Sequence, residues 1–228
     1  PATYVSGDGS NTITFAYLVQ PGDSDLDGIT LQGTLNLGSG TLRNAQGRDA
    51  SVVFTPPNTA GLLVDGIDPT LDEVVIAANR GLYSTGQILR FTATFSEPMR
   101  VAGEPRIVLT VGTAKRYATY VTGDQTNVLV FEYQVQAGDD APGGIVAASY
   151  ISRNRGAVTD LAGNACDLNF TPLDLTGVRI DNGPPTVTGV ATTAVDGHYK
   201  AGDVIPLTVS VSEPVIAGSS LTLVLDTG

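Results

Sequence analysis

The sequence has no tryptophan, one cysteine, one methionine and one histidine in 228 residues. A lone Cys166 cannot form an internal disulfide, so oxidative cross-links are excluded as the source of stability. Basic residues are scarce, 12 against 23 acidic, for a net charge of −11. That deficit argues against nucleic acid or an anionic membrane surface as partner. Glutamate is rare too: only five of the acids are Glu and the rest are Asp. No apolar run reaches the roughly 18 residues of a membrane-spanning helix, so no membrane insertion is expected. No signal-peptide pattern opens the sequence, and it begins at Pro1 rather than Met, which reads as a processed or excerpted piece.

What is abundant points one way. Gly 27 and Pro 13 are too many turn formers for a helical protein. Thr, Val and Asp are plentiful, and 42% hydrophobic content suffices for a core. The Asp excess is compatible with divalent cations.

The chain also repeats itself. Shifted by 116 positions it overlays itself without a gap, and about a third of the overlaid residues are identical. Ala2-Thr3-Tyr4-Val5 matches Ala118-Thr119-Tyr120-Val121, Phe54-Thr55-Pro56 matches Phe170-Thr171-Pro172, and Ser96-Glu97-Pro98 matches Ser212-Glu213-Pro214. Proline-marked seams fall at Asp65-Gly66-Ile67-Asp68-Pro69-Thr70 and Asp181-Asn182-Gly183-Pro184-Pro185-Thr186, where fixed φ suits a linker. These seams divide the chain into the back part of one repeat (1–66), a complete repeat (67–182) and the front part of a third (183–228). The two partial pieces together make nearly one repeat length, so they could complete each other within one chain or between chains; the other reading is a window cut from a longer array.

Within one repeat the apolar residues alternate with period two. Ile88, Phe91, Ala93 and Phe95 suggest a strand with a local irregularity at Leu89-Arg90. Ile107 to Val111, Tyr117 to Val121 and Leu129 to Val135 suggest three more. Shorter segments at 145–150, 157–158 and 175–180, with a first strand like Thr186–Val190, bring the expected number to about seven in roughly 116 residues. That is an all-β antiparallel sandwich. Tyr4, Phe15 and Tyr17, with their counterparts, sit at strand spacing and read as core. His198 stands opposite Leu82 and reads as a loop residue, and Cys166 stands opposite Ala50 and reads as a small buried hydrophobe.

Phe95-Ser96-Glu97-Pro98, Ala118-Thr119-Tyr120-Val121, Val135-Gln136-Ala137-Gly138-Asp139 and Asp160-Leu161-Ala162-Gly163-Asn164 occur in this order, with the Asp…Pro-Thr seams. Together they resemble the bacterial immunoglobulin-like tandem repeats of large surface and secreted adhesins, and the resemblance covers the whole chain. It implies tandem immunoglobulin-like sandwiches that are extracellular, often bind calcium and serve mostly as stalk spacers. A Lys–Asn isopeptide staple recurring in every repeat is excluded, because only Lys115 and Lys200 occur and residues 1–66 contain no lysine.

Candidate metal ligands are aspartates. Asp23-Ser24-Asp25-Leu26-Asp27-Gly28 puts three carboxylates at alternate positions before a glycine, as at the start of an EF-hand loop, although Thr34 stands where the bidentate Glu would be. A calcium loop between strands is the favoured reading, and a solvated acidic turn is the other. The matching loop offers Asp139 and Asp140 but has Ala141 and Gly143 in place of the other two, so a plain turn is as good a reading there. At the seams, Asp65, Asp68 and Asp181 could bridge neighbouring repeats through calcium or cap turns without metal. Glu97 and Glu213, each before Pro at an expected strand end, could complete such a site but read more simply as solvated. Asp160 and Asn164 flank Gly163 as an Asx-type turn.

No Ser-His-Asp set, Cys-His pair or phosphate loop is visible, so no enzyme is expected. Three functions follow: a calcium-stiffened segment of an extracellular, bacterial-surface stalk; a subunit joined head to tail to identical chains by strand complementation; and a carbohydrate- or other ligand-binding module. The first is the leading expectation.

Overall fold

A computed structural model describes residues 1–77 and 80–226. These residues form an all-β protein without helices. Its strands are β1 (Thr3–Ser6), β2 (Thr14–Ala16), β3 (Ser24–Asp25), β4 (Val64–Asp65), β5 (Leu71–Ile76), β6 (Gly81–Tyr83), β7 (Ile88–Ala102) and β8 (Arg106–Val111). They continue as β9 (Ala114–Thr122), β10 (Thr126–Gln134), β11 (Val146–Ser152), β12 (Ala157–Asp160), β13 (Val178–Ile180), β14 (Val187–Thr192) and β15 (Leu207–Val211).

The main sheet runs β11-β8-β9-β10-β7-β12, with β5 on the free side of the first half of β7. A parallel pair, β6 and β13, lies apart from it. Side-chain alternation explains the main sheet. On β10, Leu129, Phe131 and Tyr133 are buried while Val128, Val130 and Glu132 are half-buried. On β7, Leu89, Phe91, Ala93 and Phe95 are all buried, whereas Ile88 is 50% exposed. The alternation therefore starts at Leu89, and the strand has no irregularity there. One core cluster joins these faces to Ile107 and Leu109 of β8, Val178 and Ile180 of β13, and the connecting residues Ala141, Ile145, Leu168 and Leu175. Nine strands lie between Leu71 and Ile180, more than the seven or so expected; β12 falls on the expected segment at 157–158, whereas β6, three residues long, is too short to show a period.

Glu97-Pro98 does not end a strand. β7 continues through it to Ala102. The pairing with β10 jumps from Val128↔Thr94 to Thr126↔Met99, and the second half of β7 pairs with β12. Pro98, which has no N–H to donate, occupies the gap where no ladder bond is required.

All buried described residues lie between Pro69 and Ile180. Residues 1–66 form two small strand pairs, β1–β2 and β3–β4, and residues 183–226 form the β14–β15 hairpin. Their apolar side chains remain accessible: Tyr4, Phe15 and Tyr17, read as core from their spacing, are exposed. Their counterparts Phe131 and Tyr133 are buried because β7 lies beside β10, whereas β2 pairs only with β1 among the described residues.

The local pairings nevertheless recur at the 116-residue offset. Tyr4↔Phe15 and Ser6↔Thr14 match Tyr120↔Phe131 and Thr122↔Val130. The rings of both Tyr–Phe pairs meet edge to face at 6.1 Å. Val187↔Val211 and Thr192↔Leu207 match Leu71↔Phe95 and Ile76↔Phe91. The bridges Thr34↔Val53 and Arg43↔Asp49 match Tyr150↔Asn169 and Thr159↔Ala165. Gly7 and Gly123 take φ of 118° and 117°, and a Cβ there would sit 2.1 and 2.0 Å from a carbonyl oxygen, so the same turn requires glycine in both places.

The burial pattern sets an expected contrast. Phe131→Ala lowers unfolding free energy by about 3–5 kcal/mol, whereas Phe15→Ala in the monomeric chain changes it by no more than about 0.5 kcal/mol. Urea denaturation of both variants at low protein concentration checks this.

Candidate metal centre

The first seam brings together three carboxylates that lie far apart in sequence. Asp65 ends β4, Glu97 sits in the gap of β7, and Asp160 ends β12. One carboxylate oxygen from each lies within 4.8 Å of the other two. Asp65 and Glu97 are half-buried and Asp160 is 0% exposed. The backbone explains the convergence: Asp160 pairs with Met99 on β7, two residues beyond Glu97. Asn164 then ties the seam down, its Nδ2 donating to the Asp65 carbonyl at 3.0 Å and to Asp160 Oδ2 at 2.7 Å. Asp160 also caps its own turn, its Oδ1 accepting from the N–H groups of Gly163 at 2.6 Å and Asn164 at 2.8 Å. That is the Asx-type turn read from the sequence.

The electrostatics of this cluster are unfavourable without a counter-charge. Burial pushes the Glu97 carboxyl above its ordinary range, and the negative charges of Asp65 and Asp160 add to the shift. Glu97 is therefore not the solvated carboxylate that its sequence context suggested. The donor set is all oxygen and anionic, which suits a hard cation. Two oxygens each about 2.4 Å from a common calcium ion stand at most about 4.8 Å apart, so the spacing fits.

The second seam repeats part of this. A hydrogen bond with Asp181 raises the Glu213 carboxyl first, burial adds to it, and the charges of Asp181 and Asp140 contribute. Asp181 Oδ1 accepts from Gly183 N–H at 3.1 Å, just as Asp65 Oδ1 accepts from Ile67 N–H at 3.2 Å. Asp140 and Asp68 are exposed.

The acidic loop behaves differently from its reading as a ligand set. Among the described residues, Asp23, Asp25 and Asp27 do not form a cluster of three oxygens within 4.8 Å; only Asp65, Glu97 and Asp160 do. Asp23 Oδ2 accepts from the Tyr17 hydroxyl and, at 2.6 Å, from Gln20 N–H, which together hold its carboxyl below the usual range. Asp25 Oδ1 accepts from Gly28 N–H at 3.0 Å, and Asp27 is exposed.

Asp139 is engaged more completely. It is 1% exposed, and its oxygens accept from the Tyr133 hydroxyl, from Arg116 Nε at 2.8 Å and from Gln136 N–H at 2.8 Å. Asn182 Nδ2 donates to the Asp139 backbone carbonyl at 2.9 Å, so Asp139 joins the end of β10, held by its carboxylate, to the second seam, held by its carbonyl. The signal in the sequence was Tyr and Asp six residues apart in both copies, Tyr17 with Asp23 and Tyr133 with Asp139. Outside these clusters, Cys166 is buried, its thiol pushed up to about 11, and His198 is exposed.

The clamp makes a pH prediction. Burial, aided by Asp139, raises the Tyr133 phenol from 10.0 to about 12. The folded state thus holds a proton that the unfolded chain releases first. The resulting stability is fully present below pH 10 and disappears as pH rises toward 12. Urea midpoints falling across that interval, with a flatter profile for Tyr133→Phe, are the expected result. Asp139→Asn leaves Arg116 without its anion and costs about 3 kcal/mol, equally with EDTA and with calcium.

Comparison with known proteins adds no relative to this geometry: no protein-family model, curated protein sequence or solved structure matches the chain.

Proposed function

We propose that this chain is a structural, non-catalytic segment of an extracellular stalk of the adhesin type on a bacterial surface. Its immunoglobulin-like repeats are joined in line with neighbouring repeats, and the joints are stiffened by calcium. The observation that carries the reading is the carboxylate triad at the first seam. It unites Asp65, from the segment before the seam, with Glu97 and Asp160 of the unit after it. Small interfaces between successive units are mobile by default. A cation shared across the joint would offset the mutual repulsion of the triad and hold the two segments at one angle.

The recurrence of strand registers, turns and hydrogen bonds at 116 residues supports a duplicated unit. Thr70 N–H donates to Ser96 Oγ at 3.0 Å, and Thr186 N–H donates to Ser212 Oγ at 2.9 Å. The start of each unit is thus fastened to its Ser-Glu-Pro segment in the same way, which would deliver Glu97 and Glu213 to equivalent joints. Extracellular calcium is millimolar, so sites with Kd of about 10⁻⁴–10⁻³ M would be filled.

Thermal melting with EDTA and with about 10 mM calcium tests this. At such affinities calcium stabilises by about 1.4–2.7 kcal/mol, a rise of several degrees. Glu97→Gln removes one charge from the triad, so it raises the midpoint in EDTA and abolishes the calcium-dependent gain. Asp27→Asn, in the exposed loop, leaves the gain intact. An identical midpoint for the native chain in both buffers ends the calcium reading.

A further inference from the structure

We propose that the outward face of the main sheet carries a binding groove for a saccharide that bears a carboxylate, with Arg106 as the residue that receives the carboxylate. The proposal rests neither on the stalk reading nor on calcium.

The groove lies where β9 and β10 meet the turn at 84–87, and it holds about 710 Å³, within the ordinary range of ligand sites. Its wall is fixed by the backbone. Gly86 N–H donates to the Val135 carbonyl and Val135 N–H to the Gln87 carbonyl, both at 2.9 Å, and Gln134 Nε2 donates to the Gly86 carbonyl at 3.2 Å. Thr119 and Glu132 of its floor belong to a row of residues across four strands. Arg106 of β8 stands opposite Thr119 of β9, Thr119 opposite Glu132 of β10, and Glu132 opposite Arg90 of β7. Directly opposed residues share a face of the sheet. From β8 to β7 is three inter-strand steps, about 14 Å, room for a short oligosaccharide.

Arg106 is the unexplained group on this face. It is half-buried, its Nε is buried without a hydrogen-bond partner, and among the described residues no carboxylate pairs with it. Arg43, Arg80, Arg90 and Arg116 each have an acid. Arg106 has the Tyr117 ring instead, its guanidinium carbon 3.9 Å from the ring centroid. Tyr117 lines the groove, so the cation stands at that end of it. A guanidinium seated on an aromatic ring still offers its fork of N–H groups edge-on, the arrangement that binds a carboxylate. The nearby acid does not oppose such a ligand. Both bonds from Arg90 end on Glu132 Oε1, at 2.6 and 2.8 Å, so this carboxylate is already neutralised and its Oε2 remains to accept from a hydroxyl.

The rest of the lining selects sugar over peptide or nucleic acid. Thr119, Gln134 and Gln136 are exposed, and their hydroxyl and carboxamide groups both donate and accept, as sugar hydroxyls require. Ile88 and Val121, 50% and 51% exposed, offer apolar surface to the C–H side of a sugar ring. β9 and β10 are each paired on both sides, so they present no backbone edge to a peptide strand. The net charge of −11 opposes a polyanion such as nucleic acid. A short ligand with one carboxylate responds to the local field of Arg106, since charges beyond about 8 Å are screened at physiological salt.

The polar set is peculiar to this unit. At the 116-residue offset the core-facing Phe131, Tyr133 and Val135 recur as Phe15, Tyr17 and Val19. The outward-facing Glu132 and Gln134 stand opposite Ala16 and Leu18, and Arg90 and Arg106 opposite Pro206 and Thr222. What the fold needs is repeated, and the groove's polar groups are not.

Calorimetric titration of the full chain in EDTA tests this, with a panel of uronic-acid and sialic-acid oligosaccharides, each beside its uncharged methyl ester. At least one acid is expected to bind with Kd below about 1 mM, its ester about tenfold more weakly, and the difference is expected to shrink as salt rises. Arg106→Met keeps an unbranched stem on Tyr117 and removes the guanidinium with its unpaired Nε. It is expected to melt at or above the native midpoint and to bind acid and ester alike. Gln134→Ala, at an exposed position, is expected to weaken both. Three results overturn the proposal: no acid of the panel binds, an ester matches its acid on the native chain, or Arg106→Met retains the preference for the acid.

Discussion

Phe91 on β7 and Phe131 on β10 stand directly opposite each other, and both are wholly buried. That contact between a strand from the front of the unit and one from its back is what the rest of the structure depends on. Burying side chains of this size contributes about 1.5–3 kcal/mol each, and the neighbouring Leu89, Ala93, Leu129 and Tyr133 extend the same seam of core. Where front and back strands meet, residues 69–180 pack. Where only one hairpin is present, as in β1–β2 or β14–β15, an identical register leaves its apolar face accessible. An isolated hairpin has one face to bury and nothing to bury it against.

The aspartates divide into groups by what surrounds them. Asp139 is satisfied: Tyr133, Arg116 and a backbone N–H use its oxygens, and its burial is tolerable because its charge is paired. Asp160 is satisfied on its turn side, yet its carboxylate is also brought against Asp65 and Glu97. Glu97 has no cation among its described neighbours and responds by holding its proton more tightly. The same residue type thus anchors one end of the unit and leaves repulsion at the other. The difference is Arg116, which lies beside Asp139 and has no equivalent at the triad.

Much of the strand pattern was legible because sheet alternation is a local property. Leu129, Phe131, Tyr133 and Val135 announce β10, and the turn at Asp160 follows from the hydrogen-bonding reach of an Asx side chain. Other features were not legible. Ile88 and Leu89 are both apolar, and only the sheet reveals which one faces the core. Glu97 before Pro98 looks like a strand end, because proline usually interrupts a ladder; β7 instead changes partners there and carries on. The acidic loop looked like the strongest cation site, since three carboxylates stand within five residues of one another. Local hydrogen bonds hold Asp23 and Asp25 to other tasks, while the cluster forms from residues 32 and 63 positions apart.

The sequence by itself determined the all-β character, the 116-residue period and the local hairpin registers, since each depends on alternation, turn residues and neighbouring side chains. It also placed Cys166 inside and the Asx turn at Asp160. Only the tertiary structure decided which copies of a recurring residue are buried, and which carboxylates meet. Tyr17 and Tyr133 each stand between a Phe two residues before and a Val two residues after, yet have opposite exposure, because burial requires a strand from elsewhere in the chain to cover them. Asp65, Glu97 and Asp160 meet for the same reason: β12 pairs beside the proline gap of β7, and that pairing is set by long-range packing.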